Sequence, residues 1–400
     1  MVTKSRARSK PRVFPRVLIL LLAGASLLAG LNFAAVRLGA WAPVDSTELA
    51  LRHGIIMVFG FLGTAIGLER AVSAQKLWGY AAPMLSGAGA LLAAFGAPRL
   101  VCGTSMSLGM LTLCGLYGLF LHRQWAGATT IELAGAVSAL GAIVLWTSGW
   151  EVPAIVGFVL MFPVLTIIGE RLELARIEFT RPGREHLVLG LVALIVATLP
   201  FTLFTPAVAF TVLGFLLAAL TLAMFTFDVA RKTLRATGLA QFMAAAMLTG
   251  YGWLLTGALI WTLGGNVQAG FLYETLIHSI TLGFTLSMIF AHAPIIIPAI
   301  AHRSIPLHPV LWVALALLHL GLIIRFVFGA ARQIAFLWQW GGALNIMTTL
   351  LFVLSVLSLA GVRPWWIRHK KRAAQPQRIP APTASGNDSS SKDTNDNAAH

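Results

Sequence analysis

Residues 51–72 read LRHGIIMVFGFLGTAIGLERAV: His53 near the head, Glu69–Arg70 at the foot, and between them no charge at all. A run of this kind is long enough to cross a hydrocarbon core of about 30 Å as a helix. A histidine at the head of such a run is costly, and its retention asks for a physical reason.

The rest of the chain repeats the pattern. Of 400 residues, 58% are hydrophobic and 11% charged, and the charges gather between long apolar runs. That is the distribution of a polytopic, all-α integral membrane protein. Apolar segments of the required length predict about twelve transmembrane helices, at 17–37, 50–68, 77–97, 100–121, 129–148, 152–169, 186–204, 206–227, 239–263, 271–299, 308–328 and 334–361. With the N-terminus inside, 24 Lys and Arg residues fall on the inner side, and only Arg37, Arg52, Arg99, Arg325 and Arg332 outside. The positive-inside rule therefore predicts that both termini are cytoplasmic. The formal net charge of +15 sits in turns and termini, so topology accounts for it and no nucleic-acid partner is expected.

The opening MVTKSRARSKPRVFPRVLILLLAGASLLAG has the charged head and apolar body of a signal peptide. Its apolar run is too long for that role and lacks a clear cleavage site, so it reads as a retained first helix. The expected organisation is a basic cytoplasmic N-terminus at 1–16, a membrane domain at 17–361, a basic juxtamembrane segment at 362–372 suited to anionic lipid, and a disordered tail at 373–400.

Cys102 and Cys114 share one predicted helix, roughly 18 Å apart along its axis, too far for a disulfide or a common metal. No C-x-x-C-H, Walker A, G-x-S-x-G or H-E-x-x-H sequence occurs, which excludes the usual covalent haem attachment and argues against nucleotide or hydrolytic sites.

Histidine carries what remains. Of ten, His122, His186, His302, His308, His369 and His400 fall in turns, helix ends or the tail, whereas His53, His278, His292 and His319 fall within predicted spans. The second and tenth helices run in the same direction and place His53 and His278 at similar shallow depth below the outer face. Two neutral imidazoles so placed are what axial ligation of a haem iron requires, provided the helices face each other. Glu274, four residues before His278, shares its helical face and suits orientation of that ring or an interfacial role. His292 lies about 21 Å beyond His278 along the helix and cannot share its metal; Pro294 nearby suggests a polar cavity toward the cytoplasm. Arg52, Arg325 and Arg332, on the sparse side, suit the propionates of a haem or simply snorkel to headgroups.

The stretch RHGIIMVFGFLGTAIGLERAV resembles the second helix of the heme-copper oxidase catalytic subunit and of the NnrS family. There a histidine followed four residues later by methionine, then a Gly/Phe-rich run, supplies a low-spin haem ligand. Residues 274–299, ETLIHSITLGFTLSMIFAHAPIIIPA, followed by LHLGLIIRF, resemble the tenth and eleventh helices of NnrS-type proteins. The resemblance implies an oxidase-like helix arrangement in which the second, sixth and tenth helices are equivalent, and GLER at Glu69–Arg70 and IGER at Glu170–Arg171 echo such a repeat. It implies His53 as a low-spin ligand with His278 as partner, and Arg325 and Arg332 for the propionates. The sixth helix has neither His nor Tyr and the seventh no adjacent histidine pair, so a copper site is not expected.

Three readings follow. The first is a bacterial inner-membrane protein binding a non-covalent b-type haem between helices 2 and 10, with a role in nitric oxide response or electron transfer and hence a gaseous ligand or a redox partner. The second is a secondary transporter whose pathway is lined by Glu274, His278, His292 and His319, with Pro163 and Pro294 marking broken helices. The third is an assembly protein whose histidines only hydrogen-bond between helices.

Overall fold

Apolar sequence in lipid must satisfy its backbone internally, and the helix does so within one segment. The computed structural model describes residues 13–179, 181–301 and 306–373, with side chains for 16–179, 181–295 and 306–360; among these there is no strand. Twelve helices are long and apolar enough to cross a membrane: Arg16–Arg37, His53–Ala74, Leu77–Ala94, Arg99–Arg123, Gly127–Thr147, Val152–Leu174, Arg184–Phe204, Pro206–Phe227, Leu239–Gly264, Gly270–Ile295, Pro309–Ala330 and Ala335–Ala360. They are called the first to twelfth spans below. Large apolar side chains such as Leu21, Leu111, Phe215, Leu259 and Leu354 are exposed on them and face the lipid bilayer.

Residues up to Ala360 form one compact unit and those from Gly361 another. Residues 1–12 of the expected basic N-terminus and 374–400 of the expected tail lie outside the described residues, as do the side chains of the juxtamembrane segment.

Short connections make consecutive spans alternate in direction, so the bundle has a basic end, where the second, fourth, sixth, eighth and tenth spans finish, and an opposite, sparse end. The second, sixth and tenth spans are the most buried, with 61%, 78% and 72% of their central windows inside the protein against 28–50% for the others. The sixth packs against both the second and the tenth, and Phe59 stacks on Phe162 with ring centroids 6.2 Å apart. These three spans line the centre of the bundle.

Two expectations are revised. The second and sixth spans continue to Ala74 and Leu174 rather than stopping near 68 and 169, so Arg70 and Arg171 are helical residues turned inward, not turn residues in water. The helices persist because each charge meets an opposite charge inside the bundle. Pro163 and Pro294 break nothing: the helices Val152–Leu174 and Ser287–Ala301 run through them. Neighbouring helices commonly compensate for the missing proline N–H. Cys102 and Cys114 are free, as their spacing requires.

Candidate functional site: a histidine pair at the sparse end

The second, tenth and eleventh spans share a local feature that hydropathy does not reveal. Each contains a π-helical stretch in its sparse-end half: Ile56–Leu62, Ser279–Leu286 and Ile324–Ala330. His53 lies three residues before the first, His278 immediately before the second, and Arg325 within the third. The π-helix is rare, accommodates an extra residue per turn and is frequent at functional sites. By re-phasing the helix it lets the histidine and the central apolar residues below it face the same interior.

Hydrogen bonding sorts the four membrane histidines. His53 Nδ1 donates to the Gly30 carbonyl at 2.8 Å and His278 Nδ1 to the Glu274 carbonyl at 2.9 Å. A carbonyl only accepts, so the proton is on Nδ1 and the Nε2 lone pair of each ring is free. His292 differs: Nδ1 donates to Met288 O at 2.7 Å, and Nε2 accepts from Arg171 Nη1 at 3.3 Å. His319 Nδ1 accepts from Trp253 Nε1 at 3.0 Å, which leaves the proton on its buried, unpartnered Nε2. Only His53 and His278 offer a lone pair.

The two free imidazoles are within electrostatic range of one another. Both are half-buried. Phe326 covers the His278 ring at 6.3 Å between centroids.

The carboxylate of Glu274 does not reach the ring it was expected to orient; its backbone carbonyl does. Its Oε1 pairs with Arg325 Nη2 and its Oε2 accepts from Trp338 Nε1. Gly341 lets the eleventh and twelfth spans approach at this level: a Cβ there would lie 2.5 Å from the Arg325 backbone nitrogen. Arg52 caps the end of the third span instead, donating to Ala97 O at 2.8 Å and Ala93 O at 3.3 Å. Arg332 is exposed, with its guanidinium 5.3 Å from the Phe328 ring.

Two participants escape a reading of the sequence. Arg37 is exposed but acts electrostatically on His53, His278, Arg325 and Tyr273; its position among the few charges of the sparse side was the available signal. Trp338 carried none, since its role depends on the twelfth span folding back onto the tenth.

The residues proposed for a transport path take different partners. Glu274 and His278 belong to this sparse-end site, His319 pairs with Trp253, and His292 joins a closed network at the basic end. There Arg171 grips Asp228 through Nη2 and Nε at 2.7 and 2.9 Å, and Tyr251 donates to the same carboxylate at 2.8 Å. His292 is thus buried in a polar network. Among the described residues no group of three or more His, Cys, Asp and Glu side chains is arranged to hold a metal ion. A haem iron needs only an axial pair from the protein, and this donor set fits it.

The fold is similar to that of a solved membrane oxidase. A chain of a heme-copper terminal oxidase dimer solved by cryo-EM superposes with a TM-score of 0.65, covering 88% of this chain and 85% of that one at 12% identity. At that identity the likeness concerns the fold. No curated protein matches the sequence. The chain belongs to the family described as a domain of unknown function, DUF8744, which matches residues 16–361.

Proposed function

We propose that the protein binds one non-covalent b-type haem between the second and tenth spans, with His53 and His278 as axial ligands. What supports the reading is the hydrogen-bond sorting above: of four membrane histidines, two have Nδ1 tied to a carbonyl and Nε2 free, and these two lie within electrostatic range of each other. The carbonyls of Gly30 and Glu274 fix tautomer and ring orientation, as is usual for metal-ligating histidine. Arg37 and Arg325 supply cations for the carboxylates of the haem edge, with Arg332 as a further, exposed candidate. Glu274 and Trp338 hold Arg325 in place.

When bound, such a haem supplies one-electron chemistry and, if one axial imidazole yields, a site for a small gas. The packed shell of Phe326 and Trp253 around this region limits water access. Electron transfer, or a response to nitric oxide as the resemblance to NnrS-type helices suggests, is the role this arrangement supports. The positive-inside distribution supports an inner membrane with both termini cytoplasmic.

The test is an oxidised and dithionite-reduced spectrum of detergent-purified protein, with a pyridine haemochrome to count haem. One haem per chain with sharp reduced bands is expected. A colourless protein after expression with ample haem refutes the reading.

A further inference from the structure

At the basic end of the central spans lies a second group of titratable side chains that the haem reading does not use. Arg70, in the last turns of the second span, meets three carboxylates from three helices: Glu69 at 2.8 Å, Glu170 of the sixth span at 3.3 Å and Glu132 of the fifth at 3.4 Å. The GLER and IGER sequences thus meet in space, with the arginine of one bonded to the glutamate of the other. Gly169 allows the approach, because a Cβ there would lie 2.5 Å from Glu132 Cγ.

Charge and hydrogen bonding do not balance in this cluster. Three carboxylates surround one guanidinium, and the charged or titratable groups within electrostatic range are Glu69, Arg70, Tyr117, Glu132, Glu170 and Glu173. Exposure falls from 26% at Glu69 through 15% at Glu170 to 1% at Glu132. Glu132 has the longest ion-pair contact, and its Oε1 is buried without a partner. The Arg70 Nε is likewise unpartnered. Independently, Tyr117 of the fourth span is 0% exposed, its hydroxyl has no partner, and its ring lies 6.0 Å from the Arg70 guanidinium. Two donors and a carboxylate oxygen are therefore buried and unsatisfied within this one cluster.

Three ionised carboxylates beside one guanidinium leave two uncompensated negative charges in a poorly solvated site. Like charges at this separation do not all ionise; a proton taken up by one becomes a property of the group. We propose that the Arg70 cluster is a proton-binding site, holding at neutral pH one exchangeable proton shared between Glu132 and Glu170. Glu69, partly exposed, is the point of exchange with the aqueous phase at the basic end. The proton simply moves between carboxylate oxygen and water, so no other reactant is required.

Infrared spectroscopy of the purified full-length protein reads the carboxylic acid C=O band directly. The wild type, titrated between about pH 5 and pH 9, is expected to show a D2O-sensitive band at neutral pH that fades at alkaline pH. Glu132→Gln and Glu170→Gln should each reduce it about twofold or more, since either removes a negative charge that retains the proton. Glu151→Gln, at an exposed pair, should leave it unchanged. A wild type with no such band at neutral pH overturns the proposal, a result independent of whether any variant folds; so does a band of full size in both Glu132→Gln and Glu170→Gln.

Discussion

The two ends of the tenth span each carry a histidine in apolar surroundings and use it in opposite ways. At the sparse end, His53 and His278 each keep a free Nε2 next to a π-helical stretch. At the basic end, both nitrogens of His292 are engaged by Met288 and Arg171, and Arg171 is locked to Asp228. Membrane burial alone therefore does not make a histidine a ligand. What distinguishes the two ends is whether neighbouring groups consume both ring nitrogens or one.

The sharpest way to break this comparison is to remove the histidines one at a time. His53→Ala and His278→Ala are each expected to abolish stoichiometric haem, while His292→Ala retains it per folded chain, as read by pyridine haemochrome after size-exclusion chromatography. Full haem in both of the first two variants would erase the distinction.

The next effect concerns stability at the closed end. Asp228→Ala leaves the Arg171 guanidinium buried without its bidentate partner, and breaking such a pair typically costs about 3–5 kcal/mol. A lower thermal midpoint is expected, with haem content per folded chain unchanged. Replacing Arg171 and Asp228 together by apolar residues of similar volume should recover much of the loss, because no lone charge remains.

A smaller effect tests how His278 is oriented. Glu274→Gln removes the carboxylate from Arg325 and Trp338 but preserves the carbonyl that accepts from His278 Nδ1. A loss of about 1–3 kcal/mol, read as thermal midpoint, with haem retained, is the expected outcome; haem loss equal to that of His278→Ala would assign the orienting role to the carboxylate.

The smallest effect lies in the turns at the basic end. Lys232 hydrogen-bonds the Glu178 carboxylate, and with Arg181 and Arg184 nearby it holds that group below the usual carboxylate range. A depressed folded-state pKa contributes stability above the unfolded value of about 4.5 that is lost as pH falls through the lower folded value. Lys232→Ala should therefore reduce the thermal midpoint slightly near neutral pH and converge with wild type in strong acid. Salt should diminish the difference, since the pair is exposed.

Much of the architecture was legible in advance because hydropathy is a local property. Twelve runs of about 20 apolar residues each specify a helix without reference to the others, and the observed spans begin and end within a few residues of them. The departures at Glu69–Arg70 and Glu170–Arg171 have one cause: charges that look like helix ends in sequence are stabilised inside by partners 57 to 100 residues away. The site was legible in part. His53, His278, Glu274 and Arg325 announce themselves as polar residues in apolar surroundings, whereas Arg37 and Trp338 do not, and Arg52 does something else.

By itself, the amino-acid order determined twelve helices long and apolar enough to cross a membrane and which few polar residues they keep, because lipid excludes any other backbone solution for such apolar runs. Only the tertiary structure decided which histidines keep a lone pair, which arginine finds which carboxylate, and that the GLER and IGER segments meet. Those outcomes depend on hydrogen-bond partners contributed by distant helices, on close approaches allowed by Gly341 and Gly169, and on π-helical stretches that change the phase of a helix without changing its hydropathy.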